Sequence, residues 1–247
     1  MTRGLNWKAI IFWVALYSIA MGFLESAVVV YLRNIYYPYG FDFPLSPLDS
    51  SDTLVELIRE AATMVMLATV SIIAGKNFTQ RLAFFLLSFA IWDLTYYLFL
   101  YLLIGWPQSA LTWDILFLIP VVWTGPVLAP VIVSFSMIFI GLMVLISEGI
   151  GEKLNFSILT WALLITGAVF IFFSFIWDYM TFIRNVPLTG IVLGTAKKTM
   201  FTIHPDYIPQ WFNWPVFVAG ELFVIGSTLN MAYKGRKRTK KAPAINN

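Results

Sequence analysis

The chain has 247 residues, of which 60% are hydrophobic, 17% are aromatic and only 12% are charged, and its formal net charge is +3. A soluble domain carries about a quarter of its residues as charged side chains, so this composition excludes an ordinary soluble fold and indicates an integral membrane protein. The absence of cysteine, together with a single histidine, His204, excludes disulfides, iron–sulfur clusters, thiolate or bis-histidine haem and thiol nucleophiles, and argues against zinc.

The first apolar run extends from about Ala9 to Leu32 and predicts a helix long enough to cross a bilayer. Because the hydrophobic stretch continues well past the small residue Ala20, we interpret it as an uncleaved span and not as a secretory signal. Glu25 lies inside this helix, near its outer end. The following stretch, residues 33–52, is rich in aromatic residues and proline and predicts a loop at the membrane surface.

The second span, from Thr53 to Gly75, carries three charged residues in its first two turns, and the predicted site is built around them. Glu56, Arg59 and Glu60 share one helical face through spacings of three and four residues. Charges in hydrocarbon are costly, so these side chains are expected to turn towards partners or water. Two structural roles stay open: Glu56 is either the capping-box partner of Thr53 or the partner of Arg59, and Arg59 with Glu60 is a candidate structural pair.

The third span, from about Leu82 to Ile104, has Asp93 near its middle. Tyr96 and Tyr97 follow one turn later, so a phenolic hydroxyl is expected to reach the Asp93 carboxylate.

The next apolar segment, from Trp113 to Ser147, is too long for one straight span and contains three prolines. It predicts a half-helix or re-entrant piece to about Pro120, an irregular turn, and a fourth span from about Val127 to Ile146. Asp114 and Asp178 each follow a tryptophan and are predicted to mark outer helix ends at the interface.

The fifth and sixth spans are predicted over about Phe156 to Trp177 and Trp211 to Tyr233, with Glu221 midway along the sixth. The predicted fold class is therefore all-α, an integral membrane bundle of six transmembrane helices with one proline-broken segment. Residues 1–233 form a single transmembrane domain, and residues 234–247 form a basic tail.

The basic residues predict the orientation. The amino end, the 76–81 turn, the loop with Lys153 and the tail hold most of the lysines and arginines, so both termini are expected to be cytoplasmic. The net charge therefore indicates topology and not a nucleic-acid partner.

Depth along the helices places most of the buried acids in the outer half of the predicted bundle. We expect an outward-facing acidic and aromatic pocket, and the candidates for ligand binding or proton relay are Glu25, Glu56, Arg59, Glu60, Asp93, Tyr96, Tyr97 and Glu221. Such a set cannot stay fully ionised without shared protons, a bound cation or water. Any metal would be a hard divalent ion, Mg²⁺, Ca²⁺ or Mn²⁺, on Glu25, Glu60 and Asp93. No cofactor motif is present.

Four segments between Glu25 and Pro130 carry a resemblance: IWDLTYY (91–97), GWP (105–107), WDILFLIP (113–120) and GPVLAP (125–130). They resemble a family of uncharacterised bacterial polytopic membrane proteins. The resemblance implies a bacterial inner (cytoplasmic) membrane and no particular activity.

Three functions stay open from the sequence. The first is a site that binds a cation, a polar small ligand or a lipid headgroup, with or without acid–base chemistry. The second is proton- or cation-coupled transport, and the third is an accessory subunit of a larger membrane complex. The expected partners are the lipid bilayer and either a second copy of the chain or the subunits of such a complex.

Overall fold

The computed structural model describes most of the chain, and at residues 50 and 234–239 it describes the backbone alone; the described residues are 6–46, 50–150, 154, 156–185 and 204–239. Among them, six long helices account for most of the structure: α1 (Trp7–Tyr36), α2 (Ser50–Ala74), α3 (Phe78–Ile104), α4 (Leu128–Gly149), α5 (Ile158–Asn185) and α6 (Trp214–Thr239). Each contains a stretch long and apolar enough to cross a membrane. The predicted multi-pass helical bundle is therefore confirmed.

The helices pack as α1 on α3, α3 on α4, and α5 on α6, while α2 lies mainly against α3. The α5–α6 contact is close because two glycines face each other: a Cβ on Gly167 would lie 2.8 Å from the carbonyl oxygen of Gly220. Small residues of this kind let helix backbones approach in a membrane, where apolar surface alone gives little preference for protein over lipid.

The segment before α4 differs from the prediction. Residues Trp113–Phe117 (β1) and Trp123–Pro126 (β2) pair as an antiparallel hairpin, and no half-helix is present there. The pairing satisfies backbone N–H and C=O groups that water does not reach inside a bundle. Pro130 does not break α4 either, because it lies in the first turn, where its missing N–H costs no helical hydrogen bond.

Several predicted helix ends also move, among them the end of α5, which continues past the predicted Trp177 to Asn185. Helix α2 begins at Ser50, so Thr53 lies inside the helix and the capping box with Glu56 is wrong. Helix α6 continues to Thr239, beyond the predicted end at Tyr233 and into the segment predicted as a tail.

Candidate functional site

A cavity of about 630 Å³ opens at the end of the bundle where α1 ends and α2 begins. Its walls come from five of the helices, α1 to α5, and from the β1–β2 hairpin. On α2 the lining residues extend from Thr53 to Thr63, which corresponds to a depth of about 15 Å at ~1.5 Å of rise per residue. His204 and Pro205 of the α5–α6 loop complete the rim.

Seven of the eight candidate residues from the sequence line this cavity, namely Glu25, Glu56, Arg59, Glu60, Asp93, Tyr96 and Tyr97. Glu221 does not. It lies in the α4–α6 contact, where the Ser136 hydroxyl donates to one of its carboxylate oxygens at 2.7 Å. The other Glu221 oxygen is buried and has no hydrogen-bond partner among the described residues.

Arg59 joins α1 to α2 at the centre of the site. Its Nε donates to Glu56 Oε2 at 2.8 Å, and its Nη1 forms an ion pair with Glu25 of α1. The second oxygen of Glu25 accepts a hydrogen bond from the Thr63 hydroxyl at 3.2 Å. The expected Arg59–Glu60 pair is not formed: within the part of the chain that the structure describes, Arg59 pairs with Glu25 and Glu56 instead.

Glu60 and Asp93 are the two cavity carboxylates without an ion pair among the described residues. Both oxygens of Glu60 lie within 3.1 Å of the Leu118 N–H at the end of β1, so Glu60 holds the hairpin against α2. Asp93 accepts a hydrogen bond from the Ser134 hydroxyl of α4 at 2.8 Å. Both carboxylates are more than nine-tenths buried.

The expected contact between a tyrosine hydroxyl and Asp93 is wrong. The Tyr97 hydroxyl donates to Asp114 of the hairpin at 3.2 Å, although Tyr97 follows Asp93 by one turn on the same helix. Asp93 is satisfied by Ser134 of α4 instead.

Sequence reasoning missed a second charged cluster, formed by Arg33 and Asp114. Arg33 Nη2 lies 3.6 Å from Asp114 Oδ1, and its guanidinium lies 4.1 Å from the Phe41 ring centre and 3.8 Å from that of Trp106. Burial raises the pKa of Asp114 to about 6, although the positive charge of Arg33 acts in the opposite direction. Asp114 is 2% exposed and lies in β1, so it does not mark a helix end as predicted.

A signal for this cluster does exist in the sequence. Arg33 is a basic residue at the end of an apolar span that the sequence predicts to face outward, where the positive-inside rule predicts few basic residues. Such an exception indicates a local partner, and the acidic Asp114 lies in a segment predicted on the same side.

Three buried hydrogen-bond donors on residues that line the cavity have no partner in the described part of the chain: Arg33 Nη1, Trp92 Nε1 and Trp123 Nε1. Both indoles pack near Phe117, with ring centres 6.2 Å and 5.5 Å from its own. Buried polar groups are normally paired, so these donors mark unmet hydrogen-bonding capacity at the cavity wall.

All three predicted metal ligands, Glu25, Glu60 and Asp93, line one cavity. Each of them already forms an ion pair or a hydrogen bond with a different group of the protein. Among the described residues, no group of three or more acidic or histidine side chains is arranged to hold a metal ion. The metal site on these three carboxylates stays a prediction.

Comparison with known proteins yields no protein-family model, no curated protein and no solved structure that matches this chain.

Proposed function

We propose that this polytopic membrane protein binds a small amphipathic ligand in the cavity between α1 to α5 and the hairpin. One observation carries the proposal: buried carboxylates without ion pairs and buried donors without acceptors converge on a single cavity whose other walls are aromatic and aliphatic. Ligand sites in proteins have this character, with apolar walls and a few converging polar groups, and volumes of about 300–1,000 Å³.

The polar groups are arranged in two levels. The Arg33–Asp114 pair lies near the mouth, together with Tyr37 and Phe41 of the α1–α2 loop. Asp93 and Ser134 lie deeper, among rings such as Phe89 and Phe175. A ligand that fills the cavity therefore meets charged groups both near the mouth and deeper, in a lining that is otherwise largely aromatic and aliphatic.

The mouth is proposed to face the outside of a bacterial inner membrane, with both termini in the cytoplasm. The mouth lies at the carboxyl end of α1 and the amino end of α2, whereas Lys8, Lys76 and Arg81 occupy the opposite ends of α1, α2 and α3. Basic residues collect on the cytoplasmic side of bacterial membrane proteins, which supports this orientation. The bacterial membrane itself rests on the family resemblance.

Native mass spectrometry of the protein, extracted from its own membranes in mild detergent, tests the proposal. We expect a single chain or a homo-oligomer that carries a small molecule, and we expect Glu60→Gln to lose that molecule. Glutamine keeps an oxygen that can accept the Leu118 N–H, so the hairpin contact is retained while the charge is removed. Glu221→Gln is the matched control, because it neutralises a buried carboxylate that does not line the cavity.

Other outcomes contradict the proposal. Stoichiometric foreign subunits without any small molecule would establish the accessory-subunit alternative. A small molecule that is retained equally by wild type and Glu60→Gln would place the binding site outside this cavity.

A further inference from the structure

We propose that the ligand is an amphipathic organic cation, such as a quaternary ammonium or phosphonium compound with an apolar body. This inference rests on the proposed function and names its substrate class. It follows from the charge balance of the cavity, from the arrangement of its aromatic rings and from the space between them.

The charge balance favours a cation. The charged lining residues, apart from the rim histidine, are Glu25, Glu56, Glu60, Asp93 and Asp114 on the acidic side and Arg33 and Arg59 on the basic side. Both arginines are already paired with three of the acids. Asp93 is left with a neutral donor, and Glu60, although the charge of Arg59 acts on it, forms no ion pair among the described residues and accepts only backbone N–H. A buried carboxylate without an ion-pair partner is unfavourable, and a cationic ligand supplies the missing charge.

The rings beside these carboxylates form an aromatic wall, defined here as Phe89, Trp92, Phe117 and Trp123. Their centres are 5.2 Å apart for Phe89–Trp92, 6.2 Å for Phe89–Phe117 and 5.5 Å for Phe117–Trp123, so the four rings form one continuous surface. Aromatic faces attract cations through the ring quadrupole, tryptophan most strongly, and are the usual means of recognising quaternary ammonium groups.

The deeper lining of the cavity is better suited to an organic ligand than to a small hydrated ion. Val133, Met137, Ile171 and Phe175 continue the cavity below the aromatic wall. Hard metal ions prefer a shell of oxygen ligands, which these side chains do not supply. An organic cation uses both parts of the cavity, because its charge lies near Glu60 and Asp93 while its apolar body covers the aromatic and aliphatic surface.

Equilibrium dialysis of the full chain in lipid nanodiscs tests this inference with two probes of the same shape and opposite charge, tetraphenylphosphonium and tetraphenylborate. Empty nanodiscs correct for partition into lipid. We expect saturable binding of one tetraphenylphosphonium per chain and no saturable binding of tetraphenylborate. Asp93→Asn and Glu60→Gln are each expected to weaken binding by about tenfold or more, since about 1.4 kcal/mol of lost attraction corresponds to tenfold.

Two further variants test whether binding depends on the aromatic wall and on carboxylates that line the cavity. Trp92→Leu should weaken tetraphenylphosphonium binding by about three- to tenfold through loss of the cation–π contact. Glu221→Gln should bind as wild type does. Asparagine and glutamine keep acceptors for the Ser134 hydroxyl and the Leu118 N–H, and the melting temperature of each variant verifies that it is folded.

The inference is overturned if tetraphenylborate binds as well as tetraphenylphosphonium, if neither binds, or if Asp93→Asn and Glu60→Gln both bind the cation as wild type does. The proposed function survives that failure when native mass spectrometry still finds a small molecule that depends on Glu60. The proposed function is also contradicted when native mass spectrometry finds no such molecule.

Discussion

Arg33 and Arg59 carry the positive charge of the cavity, and each is held by contacts from more than one element. Arg59 pairs with Glu25 and Glu56, while Arg33 pairs with Asp114 between two aromatic rings. The face formed by Glu56, Arg59 and Glu60 was predictable, because helical spacing is a local property. The sequence indicated that Arg33 needs a local partner, but the particular Asp93–Ser134 and Arg33–Asp114 contacts were not predictable, because they depend on how separate elements pack.

Loss of the Arg33 side-chain charge should destabilise the mouth of the cavity. Arg33→Met leaves Asp114 buried without a counter-charge, and breaking a buried ion pair in this way costs about 3–5 kcal/mol. We expect a clear fall in the melting temperature in detergent, measured by tryptophan fluorescence. The double variant Arg33→Met with Asp114→Asn should recover a large part of the loss.

The control for this prediction is Arg184→Met, which removes an exposed arginine at the end of α5 and should leave the melting temperature unchanged. Equal melting temperatures of Arg33→Met and Arg184→Met would show that the Arg33–Asp114 pair contributes nothing to the stability of the protein. A double variant no more stable than Arg33→Met would show that the cost arises from lost ring packing and not from the unpaired charge.

At the scale of elements, hydrophobic length predicted all six helices, because a span of about 20 apolar residues is the main requirement for crossing a bilayer. The β1–β2 hairpin was not predictable in the same way. A short apolar run between turn residues fits a buried strand and a helix equally well, and the decisive interactions are the cross-strand pairs and the Leu118 N–H bond to Glu60. The hairpin matters to the site because it supplies Asp114, Phe117 and Trp123.

Glycines at the α5–α6 contact should tolerate substitution by alanine only where the added Cβ atom has space. In Gly167→Ala the new Cβ would lie 2.8 Å from the backbone oxygen of Gly220, which cannot move without shifting a helix. We expect a loss of about 1–3 kcal/mol, typical of an overpacked interior, and a matching fall in melting temperature.

Gly226→Ala is the matched control on α6, since the nearest atom to its Cβ would be 3.9 Å away. Alanine also favours the helix by roughly 0.5–1 kcal/mol over glycine, so this variant should be as stable as wild type or more stable. If Gly167→Ala melts at the same temperature as Gly226→Ala, the close α5–α6 packing is contradicted.

At the scale of the whole molecule, the main feature is the cavity and the side of the bundle on which its mouth lies. The sequence predicted a cluster of acids in the outer half of a six-helix bundle, and it predicted the side of the mouth from the distribution of basic residues. The volume and shape of the cavity were beyond sequence reasoning, because they arise from the gap that α1 to α5 and the hairpin leave between them.

The accessibility of single cysteines from each side of the membrane shows directly whether the cavity opens outward, and the absence of native cysteine removes any background reaction. Ser134→Cys lies in the cavity wall and Ser227→Cys in the helix contacts of α6, and both serines are 1% exposed. Tyr39→Cys, in the exposed α1–α2 loop, reports which side of the membrane a reagent has reached.

A membrane-impermeant methanethiosulfonate with a cationic head is added to right-side-out and to inverted membrane vesicles. We expect Ser134→Cys and Tyr39→Cys to react in right-side-out vesicles only, and Ser227→Cys to react in neither. Reaction of Ser134→Cys from the inverted side alone, or protection equal to that of Ser227→Cys on both sides, would contradict an outward-opening cavity.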